Sequence, residues 1–288
     1  MGIDHPLRAI VLGFGGRADV VREAQRLLPL IQPYVEIVVS DFSGEADLSQ
    51  VEADFAIVFG GDGSILRAAH QMGYQQLPVV AVNLGRLGFL ADLSPEDLVG
   101  VVQGISRESL RRQVVEHLML ECRVFRGGEL LGRQLGLNEV ALQNGAPFGI
   151  LDVHLYIDSE LVTTYSCDGL IVSTPVGSTA HSLSAGGPIL RKDLQAFVIS
   201  PISPHTLTNR PVVDSADRVF ELVVANTQQE TSVVVDGRVL ALLQPADHVR
   251  VERAQPRFKL FSPPGHSYYR TLREKLGWSG RLNVGLRS

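Results

Sequence analysis

The pattern of apolar residues changes partway along the chain, and this change limits the fold more than any other feature of the sequence. Up to about residue 105, short apolar runs alternate with helical patterns. Such alternation is typical of an α/β domain with a parallel sheet. The predicted strands are 9–12, 35–39, 55–59 and 79–82, and the predicted helices are 18–31, 64–72 and one that Ser94 caps.

From about residue 106 the helical patterns almost disappear and strand patterns take over. The predicted strands are 114–125, 129–137, 151–157, 231–235, 238–242, 248–253 and 257–261. Asp236-Gly237 is the strongest two-residue signal of a hairpin turn. We therefore predict an α/β domain over residues 1–105 and a β-rich domain over 106–261. Residues 262–288, with a short helix over 269–276, are expected to return to the first domain.

The amino-acid composition limits the kinds of partner that the protein can bind. The chain has 288 residues, 45% of them hydrophobic, which suffices for a full core and excludes disorder as the main state. Its net charge of −5 argues against binding to nucleic acid or to an anionic membrane. No apolar run approaches the roughly 18 residues of a membrane span. We expect a soluble, cytoplasmic protein in which Cys122 and Cys167 are buried thiols that form no disulfide.

The sharpest local motif is Gly60-Gly61-Asp62-Gly63-Ser64, which follows a buried strand and opens a helix. Glycines let phosphates approach the backbone, and a helix N-terminus offers free N–H groups. A carboxylate in such a loop would repel phosphate, so it needs a role of its own. It could accept a proton from an attacking hydroxyl or help to hold Mg²⁺. A plain turn explains the same residues, because glycine and aspartate are common in turns.

Two better-known nucleotide motifs are missing. No lysine follows a glycine, so the chain has no Walker-type loop. Gly13-Phe14-Gly15-Gly16 is at most a broken dinucleotide fingerprint, because no acidic residue follows at the usual distance.

A second polar motif covers residues 166–188, where hydroxyl-bearing residues, small residues and glycines follow a predicted strand. Such a stretch can offer hydroxyl and backbone N–H groups to a ribose, an amide or a phosphate. A long surface loop is the alternative, although loops of this length without regular structure are usually functional or mobile. Asn138-Glu139 is polar at a strand edge and is not informative alone.

In their order along the chain, these motifs resemble those of the NAD kinase family. The matching residues are Gly60 to Ser64, Asn83-Leu84-Gly85-Arg86-Leu87-Gly88-Phe89-Leu90, Asn138-Glu139, Asp168 to Pro188, and the closing Leu272-Arg273-Glu274-Lys275-Leu276-Gly277-Trp278. The first motif is shared with diacylglycerol, sphingosine and phosphofructokinase relatives. The Asn-Glu pair and the long Ser/Thr/Gly run are much more particular to NAD kinases.

The resemblance implies a Rossmann-like α/β domain and a β-sandwich-like domain, with the site in the crevice between them. It implies an enzyme that transfers the γ-phosphoryl group of ATP, with Mg²⁺, to the 2′-hydroxyl of the adenosine ribose of NAD. No protein ligand for Mg²⁺ is assigned. We also expect self-association through the β-rich domain into a homodimer or homotetramer.

The resemblance also assigns residues. Asp62 becomes the proton acceptor with Gly63 beside it, and Gly60, Gly61, Gly63 and Ser64 form the phosphate loop. The residues that it places at the substrate nucleotide are Asp62, Gly63, Asn138, Glu139, Asp168, Thr179, Ala180, His181, Ser182, Leu183, Ser184 and, by a looser alignment, Arg238.

The chain departs from the family pattern at two positions. His181 stands where the family usually has the tyrosine of Ser-Thr-Ala-Tyr-Ser, and Val176 stands where a threonine is common. A histidine can still stack on a ring and form hydrogen bonds, so we expect a change in pH profile and no change in reaction class. An incidental loop histidine is the alternative. The other seven histidines are interpreted as structural or surface residues.

Two other functions fit part of the sequence. A lipid or sugar kinase of the same superfamily would share Asp62 but would have no use for a dinucleotide surface over residues 168–184. A non-catalytic nucleotide sensor on this fold should have lost the aspartate of the glycine loop, and Asp62 is present.

Overall fold

The computed structural model describes residues 6–85, 88–91, 93–146, 149–206, 209–226, 231–262 and 268–277. Arg86, Leu87 and Trp278, which belong to the motifs quoted above, lie outside the described residues. The chain divides into two units. The first unit comprises residues 1–72, 77–115 and 259–288, and the second comprises residues 73–76 and 116–258.

The secondary structure has helices at both ends of the chain and strands through its middle. In chain order the elements are β1 (Leu7–Leu12), α1 (Ala18–Ile31), β2 (Val35–Asp41), β3 (Phe55–Phe59), α2 (Asp62–Met72), β4 (Pro78–Val82), α3 (Pro95–Gly104), α4 (Arg107–Arg112), β5 (Val114–His117), β6 (Leu120–Arg126), β7 (Glu129–Gly136), β8 (Glu139–Gln143), β9 (Leu151–Ile157), β10 (Glu160–Cys167), β11 (Gly169–Ser173), a 3₁₀ turn (Gly177–Thr179), α5 (His181–Ser184), β12 (Ala196–Ile202), β13 (Val212–Ser215), β14 (Phe220–Val224), β15 (Ser232–Val235), β16 (Arg238–Leu242), β17 (His248–Arg253), β18 (Phe258–Phe261) and α6 (Tyr268–Leu276).

The first unit is built on a six-stranded sheet in the order β2-β1-β3-β4-β18-β5. The pairs β1–β2, β1–β3, β3–β4 and β4–β18 are all parallel. Every residue of β3 is buried, as its unbroken apolar sequence predicts for a strand inside a parallel sheet. The predicted α/β domain is thereby confirmed.

The helices of the first unit follow the predicted patterns. In α1 the buried residues are Val20, Ala24, Leu27 and Ile31, at helical spacing. Ser94 caps α3 by accepting a hydrogen bond from the Asp97 N–H group, and Pro95 takes the first helical position. The helix α4 was not predicted. It is only six residues long and is closed by a capping box between Ser106 and Ser109, in which serine replaces the usual Glu or Gln.

The second unit is a sandwich of two six-stranded sheets. Their orders are β10-β9-β14-β17-β6-β7 and β13-β12-β11-β8-β15-β16. One apolar core contains fully buried residues from both sheets, among them Phe197 from β12 and Phe220 from β14, whose ring centroids are 5.6 Å apart. In β9 the residues Leu151, Val153 and Leu155 are buried and alternate with more exposed ones. The predicted β-rich domain is confirmed as a sandwich.

The predicted hairpins form, with one difference. The strands β6 and β7 pair around Gly127 and Gly128, and β15 and β16 pair around Asp236 and Gly237. All four turn residues have positive φ, as tight hairpin turns require. The single strand predicted over 114–125 is wrong, because the chain breaks after His117 and joins two different sheets as β5 and β6.

Residues 166–188 contain more regular structure than their composition indicates. The interpretation as one long loop is wrong, because this range holds the buried central strand β11, the 3₁₀ turn and α5. The apolar residues Leu170, Ile171 and Val172 pair with β8 on one side and β12 on the other. This apolar run is short and has hydroxyl-rich neighbours, so the sequence does not indicate a strand at this position.

Two further expectations concern thiols and membranes. Cys122 and Cys167 are both free and buried, as expected. Within the described ranges, no helix is long and apolar enough to cross a membrane.

Candidate active site

The turn between β3 and α2 is shaped by its glycines. Gly60 has φ of +137°, and a Cβ at this position would overlap Ser64 Oγ, so both conformation and space require glycine. A Cβ added at Gly61 or Gly63 would meet no described atom within 4 Å, which leaves open room beside the backbone. The helix α2 begins at Asp62, two residues earlier than predicted. Its free N–H groups therefore lie within the motif itself, where they can receive an anion.

Asp62 is held by backbone N–H groups from a distant part of the chain. Its Oδ2 accepts a hydrogen bond from the Phe89 N–H group at 2.7 Å. Its Oδ1 accepts hydrogen bonds from Leu90 at 2.9 Å and from Ala91 at 3.3 Å. The segment 88–91 follows β4, the parallel neighbour of β3, so both loops lie at the carboxyl edge of the sheet. A plain turn has no need for such anchoring of its aspartate.

The glycines after β1 have a packing role. A Cβ at Gly13 would lie 2.7 Å from the Phe42 ring, and the Gly15 N–H group donates to the Phe42 carbonyl at 2.6 Å. Close packing against Phe42 therefore explains these glycines without a dinucleotide.

In the second unit, Asp236 organises the Asn138-Glu139 pair. This carboxylate, on a half-buried residue, accepts hydrogen bonds from the N–H groups of Leu137, Asn138 and Glu139, at 2.6, 2.8 and 3.0 Å. Hence the hairpin turn that carries Asp236 fixes the start of β8. The sequence predicts only a turn at Asp236, because this contact spans nearly a hundred positions in the chain.

Glu139 is an unusual acid. Its Oε2 is buried and has no hydrogen-bond partner among the described residues. Burial, and secondly the charge of Asp236, raise the pKa of Glu139 to about 8. Burial also raises the pKa of Asp236, but its three N–H donors act in the opposite direction. Glu139 therefore holds its proton to a higher pH than an exposed glutamate does.

The segment after β11 packs directly on Asn138. The Asn138 carbonyl accepts the Thr174 N–H group at 2.8 Å, and Thr174 Oγ1 donates to the Leu137 carbonyl at 2.6 Å. A Cβ at Gly177 would overlap the Asn138 carbonyl oxygen, so only glycine permits this approach. The structure therefore brings the Asn-Glu pair and the Ser/Thr/Gly run together.

The members of the predicted nucleotide site between Thr179 and Ser184 differ in exposure. Ser182 is fully buried and its hydroxyl bonds to Ser200 Oγ at 3.0 Å, so this hydroxyl is already used within the protein. Ser184 is exposed, and Thr179, Ala180, His181 and Leu183 are half-buried. Val176 is buried, so an apolar side chain suits the position where the family commonly has threonine.

Arg238 lies next to the Asp236 turn, whereas Asp168 lies at another part of the second unit. Asp168 stands between β10 and β11, and its exposed carboxylate lies 3.3 Å from His205 Nε2. The sequence predicts only a structural or surface role for His205 and does not indicate this contact with Asp168. Arg238 is the first residue of β16 and pairs with Val235 across the hairpin.

Comparisons with known proteins cover both units. A family model described as the ATP-NAD kinase N-terminal domain matches residues 35–109, and one described as the ATP-NAD kinase C-terminal domain matches residues 137–262. The chain is 54% identical to the NAD kinase of Rhodopirellula baltica, over 98% of this chain and 90% of that protein. It is 43% identical to the NAD kinase of Chromohalobacter salexigens, over 80% and 78% of the two chains.

Two solved structures have the same fold as this chain. The NAD kinase of Archaeoglobus fulgidus in complex with ATP has a TM-score of 0.75 and 26% identity, covering 95% of this chain and all of that one. Yeast NADH kinase complexed with NADH has a TM-score of 0.83 over 97% and 91% of the chains. Its identity is only 24%, so this likeness shows the fold alone.

The raised pKa of Glu139 predicts how stability changes with pH. The folded protein binds this proton more tightly than the unfolded chain, whose glutamates titrate at about pH 4.3. The contribution of Glu139 to stability should therefore fall as pH rises from about 5 to about 8. Glu139→Gln should remove this part of the loss, which urea unfolding at a series of pH values would measure. Glu129→Gln, at an exposed position, should keep the wild-type slope. Equal slopes for wild type and Glu139→Gln would contradict the buried-acid assignment.

Proposed function

The chain belongs to the NAD kinase family and is an ATP-dependent NAD kinase, and we propose that Asp62 is the general base of its reaction. The reaction transfers the γ-phosphoryl group of ATP to the 2′-hydroxyl of the adenosine ribose of NAD, which is phosphoryl transfer to an alcohol. An alcohol is a poor nucleophile at neutral pH, so a positioned carboxylate that takes its proton accelerates the attack. Phosphoryl transfer otherwise needs positioning and charge neutralisation more than covalent chemistry.

The proposal rests on one observation: the Asp62 carboxylate is held in a fixed position at the glycine turn between β3 and α2. The N–H groups of Phe89, Leu90 and Ala91 hold its oxygens at 2.7 to 3.3 Å, while Gly61 and Gly63 leave open room beside it. A base must keep its direction while the substrate arrives, and an anchored carboxylate does so. The N–H groups at the start of α2 are proposed to face the phosphates, with Gly60, Gly61, Gly63 and Ser64 forming the phosphate loop.

Mg²⁺ is proposed to enter with the nucleotide as MgATP. Among the described residues, no group of three or more His, Cys, Asp and Glu side chains comes together as a metal site. This fits Mg²⁺, which commonly binds through substrate phosphates and water with only one or two carboxylates. When bound, the ion neutralises charge that develops on the phosphates. Asp62 Oδ1 already accepts two N–H groups, so we assign this oxygen no metal.

The second unit is proposed to bind the nucleoside part of NAD. Asn138 and Glu139 are fixed by Asp236 and by the segment after β11, and a protonated Glu139 can donate a hydrogen bond. Thr179, His181 and Ser184 are accessible enough to contact a ribose or a base, while Ser182 contributes through its backbone and shape. Ala180, Leu183, Asp168 and Arg238 complete the proposed set.

We propose that the protein functions in the cytoplasm. Its two cysteines are buried and free, which suits a reducing compartment. Recovery of the protein in a membrane fraction of the cell would contradict this location.

Substituting the proposed base, Asp62, should lower kcat without changing the affinity for NAD. Asp62→Asn keeps the shape of the side chain but cannot accept the proton, and its amide nitrogen gives up at least one of the three backbone hydrogen bonds. We expect kcat to fall by about 10²–10⁴ while folding and NAD binding survive. Asp47→Asn is the matched control, since this exposed aspartate also accepts a backbone N–H group in the first unit. Steady-state kinetics and NAD titration would measure both variants. An Asp62→Asn enzyme with more than roughly a tenth of the wild-type kcat would contradict the role, because general-base effects are larger. Loss of NAD binding would instead indicate a ground-state contact.

Asp168 should act on binding and not on the chemical step. Asp168→Ala removes a charged acceptor, so the KM for NAD should rise about 10- to 150-fold with kcat little changed. Asp193→Ala is the control, because Asp193 is an equally exposed aspartate of the second unit that pairs with Arg191. If the KM for NAD is the same in both variants, Asp168 is only a turn residue.

Self-association is proposed from the edges of the two sheets in the second unit. The edge strands are β10, β7, β13 and β16, and each exposes large apolar residues. These residues are Leu130, Leu131, Leu161, Val162, Val212, Val213, Val239 and Leu242. Unpaired apolar edges favour association with another chain. Light scattering at micromolar concentration should give a dimer or tetramer of the 31.3 kDa chain. A monomer with full activity would refute this proposal.

A further inference from the structure

We infer that the segment 88–91 positions the catalytic carboxylate and leaves one place on Asp62 Oδ2, and none on Oδ1, for the substrate proton. The inference rests on the proposed role of Asp62 as base. It assigns a positioning role to Gly88 and to the backbone of Phe89, Leu90 and Ala91, none of which touches the reacting atoms in this role.

The hydrogen bonds decide which oxygen is free. A carboxylate oxygen has two lone pairs. Oδ1 accepts N–H groups from Leu90 and Ala91, so both of its lone pairs are in use. Oδ2 accepts only the Phe89 N–H group among the described residues, so one lone pair remains. Because three donors fix the plane of the carboxylate, the direction of this remaining lone pair is fixed as well.

The proton transfer can therefore be written at one atom. As the ribose oxygen forms its bond to the γ-phosphorus, the hydroxyl proton moves to Asp62 Oδ2. The bond between the γ-phosphorus and the bridging oxygen breaks at the same time, and ADP leaves with that electron pair. Asp62 then holds one proton, which it releases to water before the next turnover.

Gly88 is required by space. A Cβ at this position would overlap Asp62 Oδ1, and it would lie 3.0 Å from Asp62 Cγ and 3.3 Å from the Ala91 nitrogen. Backbone conformation does not explain the glycine, because Gly88 is not among the residues with positive φ. An alanine at 88 must push the carboxylate out of its three hydrogen bonds or move the segment away from it.

A double-mutant cycle tests whether Gly88 acts through Asp62. Gly88→Ala should lower kcat on the order of 10- to 100-fold, as expected for a displaced catalytic group, with the KM values for NAD and ATP little changed. In an Asp62→Asn background the same change should alter kcat by less than about twofold, since the misplaced group is already inactive. Gly85→Ala is the matched control, because a Cβ there comes no closer than 3.9 Å to any described atom. It should retain wild-type kinetics.

A second variant keeps the test decisive if Gly88→Ala does not fold. Asp62→Glu keeps the charge and leaves Gly88 intact, but its longer side chain cannot place both oxygens on the same N–H groups. Its kcat should fall nearly as far as that of Asp62→Asn, with thermal unfolding close to that of the wild type. Full activity of Asp62→Glu would overturn the inference.

The other possible results distinguish the positioning role of Gly88 from the role of Asp62 as the base. Wild-type kcat in Gly88→Ala, or an equal loss in both backgrounds, overturns the positioning role while the base assignment stands. An active Asp62→Asn enzyme overturns the base assignment, and the positioning role falls with it.

Discussion

The hydrogen bonds between Asp62 and the segment 88–91 fix the glycine turn of the first unit in position. They join the loop after β3 to the loop after β4, two neighbouring strands that run parallel and end at one edge of the sheet. The sheet brings the two loops together, and the carboxylate fixes them to each other. The open backbone of the glycine turn and the direction of the proposed base both depend on this contact.

The second unit uses the same physical device. Asp236 accepts N–H groups from three consecutive residues, Leu137 to Glu139, as Asp62 does from Phe89 to Ala91. In each unit an aspartate next to a glycine turn anchors a distant segment through its backbone. Charge-assisted hydrogen bonds of this kind are short and directional. They can therefore fix the conformation of a segment that lies at the junction between regular elements. The consequence differs, because burial and, secondly, the charge of Asp236 raise the pKa of the neighbouring Glu139.

Local sequence patterns were sufficient to predict the strands and helices, but they did not predict the hydrogen bonds that Asp62 and Asp236 accept from distant residues. The strands Phe55–Phe59, Leu151–Ile157 and His248–Arg253 and the helix Ala18–Ile31 have the predicted bounds, since each is set by its own periodicity. The anchors of Asp62 and Asp236 span 27 to 29 and 97 to 99 positions, and no local rule relates residues so far apart. Ser182 illustrates the same limit, because its hydroxyl is taken by Ser200, which lies on another strand. The resemblance to NAD kinases supplied the reaction, and it also separated this chain from lipid and sugar kinases, which share only the first motif.

The most direct test is the identity of the acceptor and the position of the new phosphate. Purified protein would be incubated with ATP, Mg²⁺ and NAD, and the product read with an NADP-specific dehydrogenase and by phosphorus NMR. The expected result is equal formation of ADP and of NADP, with the phosphate as a monoester on the 2′-hydroxyl of the adenosine ribose. Consumption of ATP without NADP, or a phosphate at another hydroxyl, would contradict the assignment.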